Sequence, residues 1–397
     1  MVCPRELKWV ATCVLFFFTI LKAVCSPVGT ADYLIDLWTS DNGLPDSSVT
    51  AIAQTPDGYL WVGTYNGLAR FDGVQFVIFD PLNTPELKHA RVDGLFVDAQ
   101  GTLWVNTRDG SMTAWHNGVF THEWQGGQVS AVFSRSNQLF FALMRGQLVC
   151  RTGNLDEHAA WQTIPLAGAT TGILFRQDSA GTLWYATRDG ALERIIGTNS
   201  EPVSSKDYLS GERVNCLTTY DSGRIWVGTE KRILLWRGGH FEDQTPTNGE
   251  AVVNTTFFAC TASNGCWVVA DGKVRKCVAR NWVAAAESWQ DLTEVNATYL
   301  QAYEDHDGGV WFRHYGRGLF HARPDGSTQH ISSSDGLPDD RVGCWFQDRE
   351  GNVWVGVDRG GLVRLREKKI HVIGGGEGLS IPAISSVCED GDGNIWI

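Results

Sequence analysis

Tyr65, the pairs Arg108-Asp109 and Arg188-Asp189, Lys231, and Tyr315 with Arg317 each follow an apolar run built around an aromatic residue. Guanidinium, ammonium, carboxylate and phenol groups brought to one place form forked hydrogen-bond donors and stacking surfaces. That chemistry holds a carbohydrate or an acidic small molecule. Asn66, Arg145, Glu230, Asp271, Asp358 and Arg359 occupy the corresponding places in other copies of the pattern. Solvated turns carry the same residue types, so the binding reading rests on these turns converging on one face. Metal chemistry is not indicated: the 10 histidines and 10 cysteines include no Cys-x-x-Cys, His-x-His or His-x-x-x-His spacing, and no cofactor is expected.

The element that must position these turns is clearest from Gly43 to Phe76. Val49 to Ala53 alternates apolar and polar, Pro56-Asp57-Gly58 signals a turn, Tyr59 to Thr64 is aromatic and β-branched, and Asn66-Gly67 turns again before Leu68 to Phe71. This is a small antiparallel meander, and a meander of that size buries its apolar faces only against copies of itself.

The copies are anchored at Trp61, Trp104, Phe140, Trp184, Trp226, Trp267, Trp311, Trp354 and Trp396, 36 to 44 residues apart. That period predicts four-stranded propeller blades. Gly58-Tyr-Leu-Trp61 recurs as Gly101-Thr-Leu-Trp104, Gly181-Thr-Leu-Trp184, Gly223-Arg-Ile-Trp226, Gly308-Gly-Val-Trp311, Gly351-Asn-Val-Trp354 and Gly393-Asn-Ile-Trp396. Each glycine suits a tight hairpin, and each tryptophan is read as core filling between neighbouring sheets. The third copy, Gln138 to Leu143, has no glycine before Phe140 and is the most degenerate.

With 44 glycines, 17 tryptophans and 43% hydrophobic residues in 397, the chain is a turn-rich globular protein. Its net charge of -12 argues against nucleic acid and against anionic membrane surfaces as partners. Residues 1–25 read as a signal peptide: Arg5 and Lys8, the apolar run Trp9 to Leu21, then Ala23-Val24-Cys25. Membrane contact would come only through that segment, as leader or anchor, or through a later span. Export to the periplasmic side permits disulfides. Cys260 and Cys266 flank a turn where they can face each other, Cys277 follows in the next strand, and Cys150, Cys216, Cys344 and Cys388 suit buried strand positions.

Asp32 to Trp38, leading through Gly43-Leu44-Pro45-Asp46, matches Thr328 to Ile331, leading through Gly336-Leu337-Pro338-Asp339, at a distance of 293 residues. Seven repeat lengths of ~42 fit that interval. The expectation is an all-β, seven-bladed β-propeller of four-stranded antiparallel blades over 32–326, closed by Asp32 to Trp38 as outer strand of the seventh blade. Residues 327–397 would then hold the first blades of a second propeller, interrupted at Ile397 in a chain that is a fragment of a longer protein.

Gly-Leu-Pro, a Val-x-x-Ile strand, Asp-x-x-Gly-x-Leu-Trp-Val-Gly-Thr and Gly-Leu-x-Arg-Phe together resemble the two-component regulator propeller repeat. The first copy matches nearly throughout, Val342 to Leu365 closely, and the others chiefly around the tryptophan. The resemblance implies the extracytoplasmic ligand-sensing region of a hybrid sensor histidine kinase, whose immunoglobulin-like domain, membrane span and kinase lie outside these residues. It leaves room for a homodimer formed through the parent protein. Two enzyme classes are similar in part. Asp178-Ser-Ala-Gly181-Thr-Leu-Trp184 resembles the Asp-box turn of sialidases, and seven-bladed lyases that open cyclic lactone antibiotics have broadly similar repeats. The sialidase arginine triad and tyrosine nucleophile are not identifiable by motif, and no Gly-x-Ser-x-Gly elbow, Walker loop or zinc-binding helix is present. No enzyme activity is therefore expected within these residues. A protein-binding scaffold remains a third reading.

Overall fold

The computed structural model describes residues 33–135, 138–143, 146–152, 160–166, 174–187, 190–203, 209, 212–219, 224–247, 255–260, 265–270, 273–278, 280–285, 301–314, 316–324, 327–368, 388–389 and 395–396. Apart from isolated turns these residues are strands, arranged as four-stranded antiparallel sheets. Blade 1 shows the unit: strand A is Val49–Gln54, B is Leu60–Thr64, C is Gly67–Phe71 and D is Phe76–Phe79. Each pairs with its sequence neighbour. Blades 2 (92–125), 3 (129–164), 4 (174–202), 5 (214–243), 6 (255–285) and 7 (301–331) repeat it with four consecutive strands.

The sheet that follows is composite. Val342–Gln347, Val353–Val357 and Gly361–Glu367 supply its A, B and C strands, and the first strand of the chain, Tyr33–Trp38, supplies the fourth. The register runs from Tyr33 opposite Glu367 to Trp38 opposite Leu362. This corrects the expectation that the first strand completes blade 7, because that blade already owns Thr328–Ile331 as its outer strand. The 293-residue interval spans seven steps and therefore eight copies, and the eighth copy packs in the same ring instead of opening a second one. Val49, Ile52, Leu60 and Val62 of blade 1 meet Trp354 and Leu362 of the closing sheet. On its other side Val342, Val353 and Val363 meet Trp311, Leu319 and Ile331 of blade 7. No second ring occurs among the described residues; a two-stranded pair, Cys388–Glu389 with Ile395–Trp396, follows the closing sheet.

The match between the two ends of the ring is physical as well as sequential. Both outer strands run into a single 3-10 turn, Ser40–Asn42 and Ser333–Asp335, ended by Gly43 (φ 100°) and Gly336 (φ 111°). Left-handed backbone of that kind is open to glycine at little cost. The Asn42 side chain accepts from the Thr39 amide, and the Asp335 side chain from the Ser332 amide, so the same entry into the next blade is built twice.

Two further features shape the blades and their contacts. The glycine of the Trp-Val-Gly-Thr strand permits close blade contact: a Cβ at Gly63 would stand 2.6 Å from Val92 Cγ1, and one at Gly356 2.6 Å from Val49 Cγ1. At the start of strand A the register slips by one residue in blades 1, 2, 3, 5 and 6 and in the closing sheet. Such a bulge bends the strand and re-aims one side chain. The residues in the slip include Thr50, Asp93, Ser130, Asn215 and Gly343.

Cys260 stands opposite Cys266 in register and Cys266 opposite Cys277. The first two side chains lie outside the described residues. Cys150, Cys216, Cys277 and Cys344 carry thiols, and burial pushes that of Cys344 up to about 12, which makes it a poor nucleophile at neutral pH.

Candidate ligand-binding face

Strands A to D alternate in direction, so the B-to-C turns and the D-to-A connections emerge on one face of the ring. The blade 1 turn is held by Thr64, whose hydroxyl donates to the Gly67 carbonyl (2.8 Å) and accepts from the Asn66 amide (3.2 Å). This leaves Tyr65 43% exposed, with the Arg91 guanidinium 4.0 Å from its ring centroid. Arg91 Nε donates to Asp93 Oδ1 at 2.8 Å, and Arg108 Nη1 reaches Asp93 Oδ2 at 3.3 Å. Asp93 is a bulge residue at the head of a strand, and it holds two guanidinium groups beside an exposed phenol. The side chain of Arg108 is 59% exposed while that of Asp93 is 16% exposed, so the cation is presented and its anchor is covered.

Of the residues expected on this face, Tyr65 and Arg108 are thus brought together through Arg91 and Asp93. Asp109 turns the other way. It accepts from the Thr107 hydroxyl (2.8 Å) and from the Ser111 hydroxyl (2.8 Å) and amide (3.2 Å). Burial works against its ionisation, but these bonds outweigh that and hold its carboxyl below the usual range. Its carboxylate is committed to closing its own turn. Lys231 is exposed on blade 5, in a turn fixed by Thr229, beside the pair Arg232 Nε to Glu212 Oε1 at 2.7 Å. Arg317 is exposed on blade 7, and its carbonyl accepts from His330 Nε2 at 2.6 Å. Arg188, Asp189 and Tyr315 lie outside the described residues.

Sequence reasoning missed Arg91 and Asp93, which sit in a D-to-A connection and a bulge. It also missed Arg341, bidentate to Asp339 (2.9 Å each) and 3.6 Å from Asp358. The one legible signal was the Arg-x-Asp spacing, which in extended chain puts both side chains on one side of the strand. Among the described residues no group of three His, Cys, Asp or Glu side chains is arranged to hold a metal.

The opposite face carries the Asp-box-like turns, and their carboxylates are structural. Asp98, Asp178 and Asp348 accept from the indole of Trp104, Trp184 and Trp354 at 2.9, 2.9 and 2.7 Å, and from amides of their own turn. In blade 1 the Thr55 hydroxyl takes that place at 2.9 Å from Trp61 Nε1. Blade 7 departs from the pattern. There Asp305 Oδ2 accepts from His321 Nε2 at 2.7 Å, His321 stacks on Trp311 with centroids 4.1 Å apart, and Nδ1 lies 3.4 Å from the Tyr33 hydroxyl of the closing strand. Burial opposes ionisation of Asp305, but His321 and the Gly309 and Asp307 amides prevail and lower its pKa. A depressed folded pKa stabilises above the unfolded value of about 3.9 and is lost as pH falls through the folded one. Asp305→Asn is therefore expected to be less stable than the parent at pH 7, with the gap closing below about pH 4. Urea midpoints across that range test it, and a gap independent of pH would refute the assignment.

The two-component regulator propeller family matches at residues 43–66 and 336–359, within the first copy and the closing copy of the repeat. No curated protein sequence matches the chain. Among solved structures, the computationally designed Ika8 protein is similar at a TM-score of 0.55 and 15% identity over 81% of this chain and 96% of its own. A streptogramin B lyase follows at 0.51 and 14%, over 85% of this chain and 98% of that one. The extracellular domain of a one-component system protein from B. thetaiotaomicron is similar at 0.50 and 15% identity, over 85% of this chain but only 42% of that longer one. At these identities the likeness is one of fold. Among the described residues no helix is long and apolar enough to cross a membrane.

Proposed function

We propose that this chain is the ligand-sensing propeller of an extracytoplasmic two-component sensor, taking a glycan or a small acidic molecule on its B-to-C face and acting without catalysis. The observation that carries the reading is the Tyr65, Arg91, Asp93 and Arg108 cluster. Its phenol offers a stacking surface for a sugar ring, Arg108 offers a forked donor to hydroxyl or carboxylate oxygens, and Asp93 fixes both guanidinium groups before any ligand arrives. Arg359 lies on the same face with φ 58°, a backbone state that costs a non-glycine residue energy and that recurs at ligand sites. The family matches and the sensor ectodomain among the similar folds support placing the region outside the cytoplasm; the kinase is part of this proposal and would lie in another part of the protein. Signalling would require the ligand to favour one arrangement of the parent protein over another.

Calorimetric titration with neutral and uronic oligosaccharides tests the reading. Asp93→Ala is expected to weaken binding by about tenfold to a hundredfold, since each charge-assisted bond contributes roughly 1.5–3 kcal/mol and loosening the anchor compromises two. Unchanged affinity in Asp93→Ala and Arg108→Ala would remove this face from consideration. A protein-binding reading has one observation in its favour. The neighbouring outer strands Tyr33–Trp38 and Phe76–Phe79 expose Leu34, Leu37, Val77 and Ile78 on the rim. Capture of a folded partner abolished by Leu37→Glu would establish it.

A further inference from the structure

A second groove opens on the opposite face, between the outer parts of blades 5 and 6, with a volume of about 320 Å³. Its lining includes Arg224, Arg237 and Arg280 around the side chains of Trp226 and Val278. Among the described lining residues Glu242 is the one carboxylate, and Arg237 pairs with it: Nη2 and Nε lie 2.9 and 3.1 Å from Oε1. In a protein of net charge -12, the described lining carries three guanidinium groups and one carboxylate, a basic composition for a groove.

Arg280 supplies an independent sign that this charge is selected. It occupies the second position of the two-residue turn between Val278 and Asn281 with φ 64°. In the same position of the corresponding turns stand Gly118 (φ 85°) in blade 2 and Gly239 (φ 90°) in blade 5. Turns of this kind need left-handed backbone, for which glycine is the low-energy choice. Blade 6 keeps an arginine there against its backbone preference. The Arg280 carbonyl accepts from the Thr247 amide at 3.1 Å, a bond that any residue could make. What only arginine adds is the guanidinium at the mouth of the groove, whose Nε donates to the Thr245 carbonyl at 3.5 Å and leaves the terminal nitrogens for a ligand, and strain retained beside a cavity points to one.

We infer that this groove binds a small organic carboxylate with a ring-shaped body, its acid held by Arg280 and Arg224 and its ring laid against Trp226 and Val278. A pocket of this volume is at the lower end of ligand-site sizes and fits one ring. Planar guanidinium forks match carboxylate geometry, and an aromatic wall accepts the flat face of a ring. The inference does not depend on the B-to-C face, which lies on the other side of the disc.

The test titrates the protein with benzoate and D-glucuronate, against benzamide, D-glucose and inorganic phosphate. Both acids, or one of them, are expected to bind, with the neutral partners at least about tenfold weaker and Arg280→Gln and Arg224→Gln each costing about tenfold. Arg280→Gly is the decisive variant, expected to melt no lower than the parent because the turn relaxes while carboxylate affinity falls. An Arg280→Gly protein that melts lower, or that binds the acids as the parent does, would overturn the inference. So would binding of phosphate equal to that of the acids, or no binding of either acid. Asp93→Ala should leave this affinity unchanged, which separates the groove from the site on the other face.

Discussion

Arg151→Ala is expected to destabilise the protein by about 3–5 kcal/mol, because it leaves a buried carboxylate without its partner. Arg151, on strand C of blade 3, bonds Glu123, on strand D of blade 2, with side chains only 5% and 9% exposed. The surroundings are aromatic. Trp161 stacks on Phe141 at 4.4 Å, Trp124 lies 5.9 Å from Phe141, and the Trp161 indole donates to the Glu123 carbonyl at 3.2 Å. Water cannot take the place of the lost guanidinium in such a site without opening the seam between the blades. Replacing both partners by apolar residues of similar size, Arg151→Met with Glu123→Leu, removes charge and counter-charge together and is expected to fall within roughly 1 kcal/mol of the parent. Equilibrium unfolding in urea distinguishes the two cases. A loss below about 1 kcal/mol for Arg151→Ala would mean that Glu123 finds water or another cation.

Blade 3 also shows what the sequence could and could not disclose. Its lack of a tryptophan anchor is plain from Gln138 to Leu143, but the packing around it is not: Phe140 shares the seam to blade 4 with Phe175 and Tyr185, while Trp161, from beyond strand C, stacks on Phe141 in the seam to blade 2. Repeats are legible when local: the tryptophan indoles, the aspartates that accept from them and the close-approach glycines all act within one blade or on the adjacent one. The first strand is different, since Tyr33–Trp38 finds its partner more than three hundred residues away, and the spacing of the repeats permitted more than one place for it. The candidate face was half legible for a related reason. Tyr65 and Arg108 lie in turns that the pattern locates, whereas Asp93 matters because a register slip re-aims it, and a one-residue bulge leaves no compositional trace. Asp109 looked like a ligand group by type and place, yet an aspartate followed by glycine and serine closes its own turn first.

The seam that closes the ring yields the second large effect. Trp354→Ala is expected to cost about 3–5 kcal/mol, within the range for truncating a buried tryptophan. The side chain is 4% exposed, with its indole bonded to Asp348 and its ring 5.5 Å from that of Trp38, on the closing strand, and 5.9 Å from Phe71 of blade 1. Arg364 lies over both tryptophans, 5.2 Å from Trp38 and 5.3 Å from Trp354, while pairing at 2.9 Å with Asp36 of the same closing strand. Removing Trp354 therefore withdraws support from Trp38 and Arg364, which hold the strand Tyr33–Trp38 in the closing sheet. The same truncation at the half-buried Trp226 should cost less, because less buried surface is lost. Closure makes the comparison more informative than a melting point alone. If the first strand seals the ring, Trp354→Ala should expose Tyr33–Trp38 to protease and to amide exchange before the rest of the protein unfolds, whereas Trp226→Ala should leave that strand protected. Uniform loss of protection throughout the ring in the Trp354→Ala protein would instead show that the seam and the blades open as one unit.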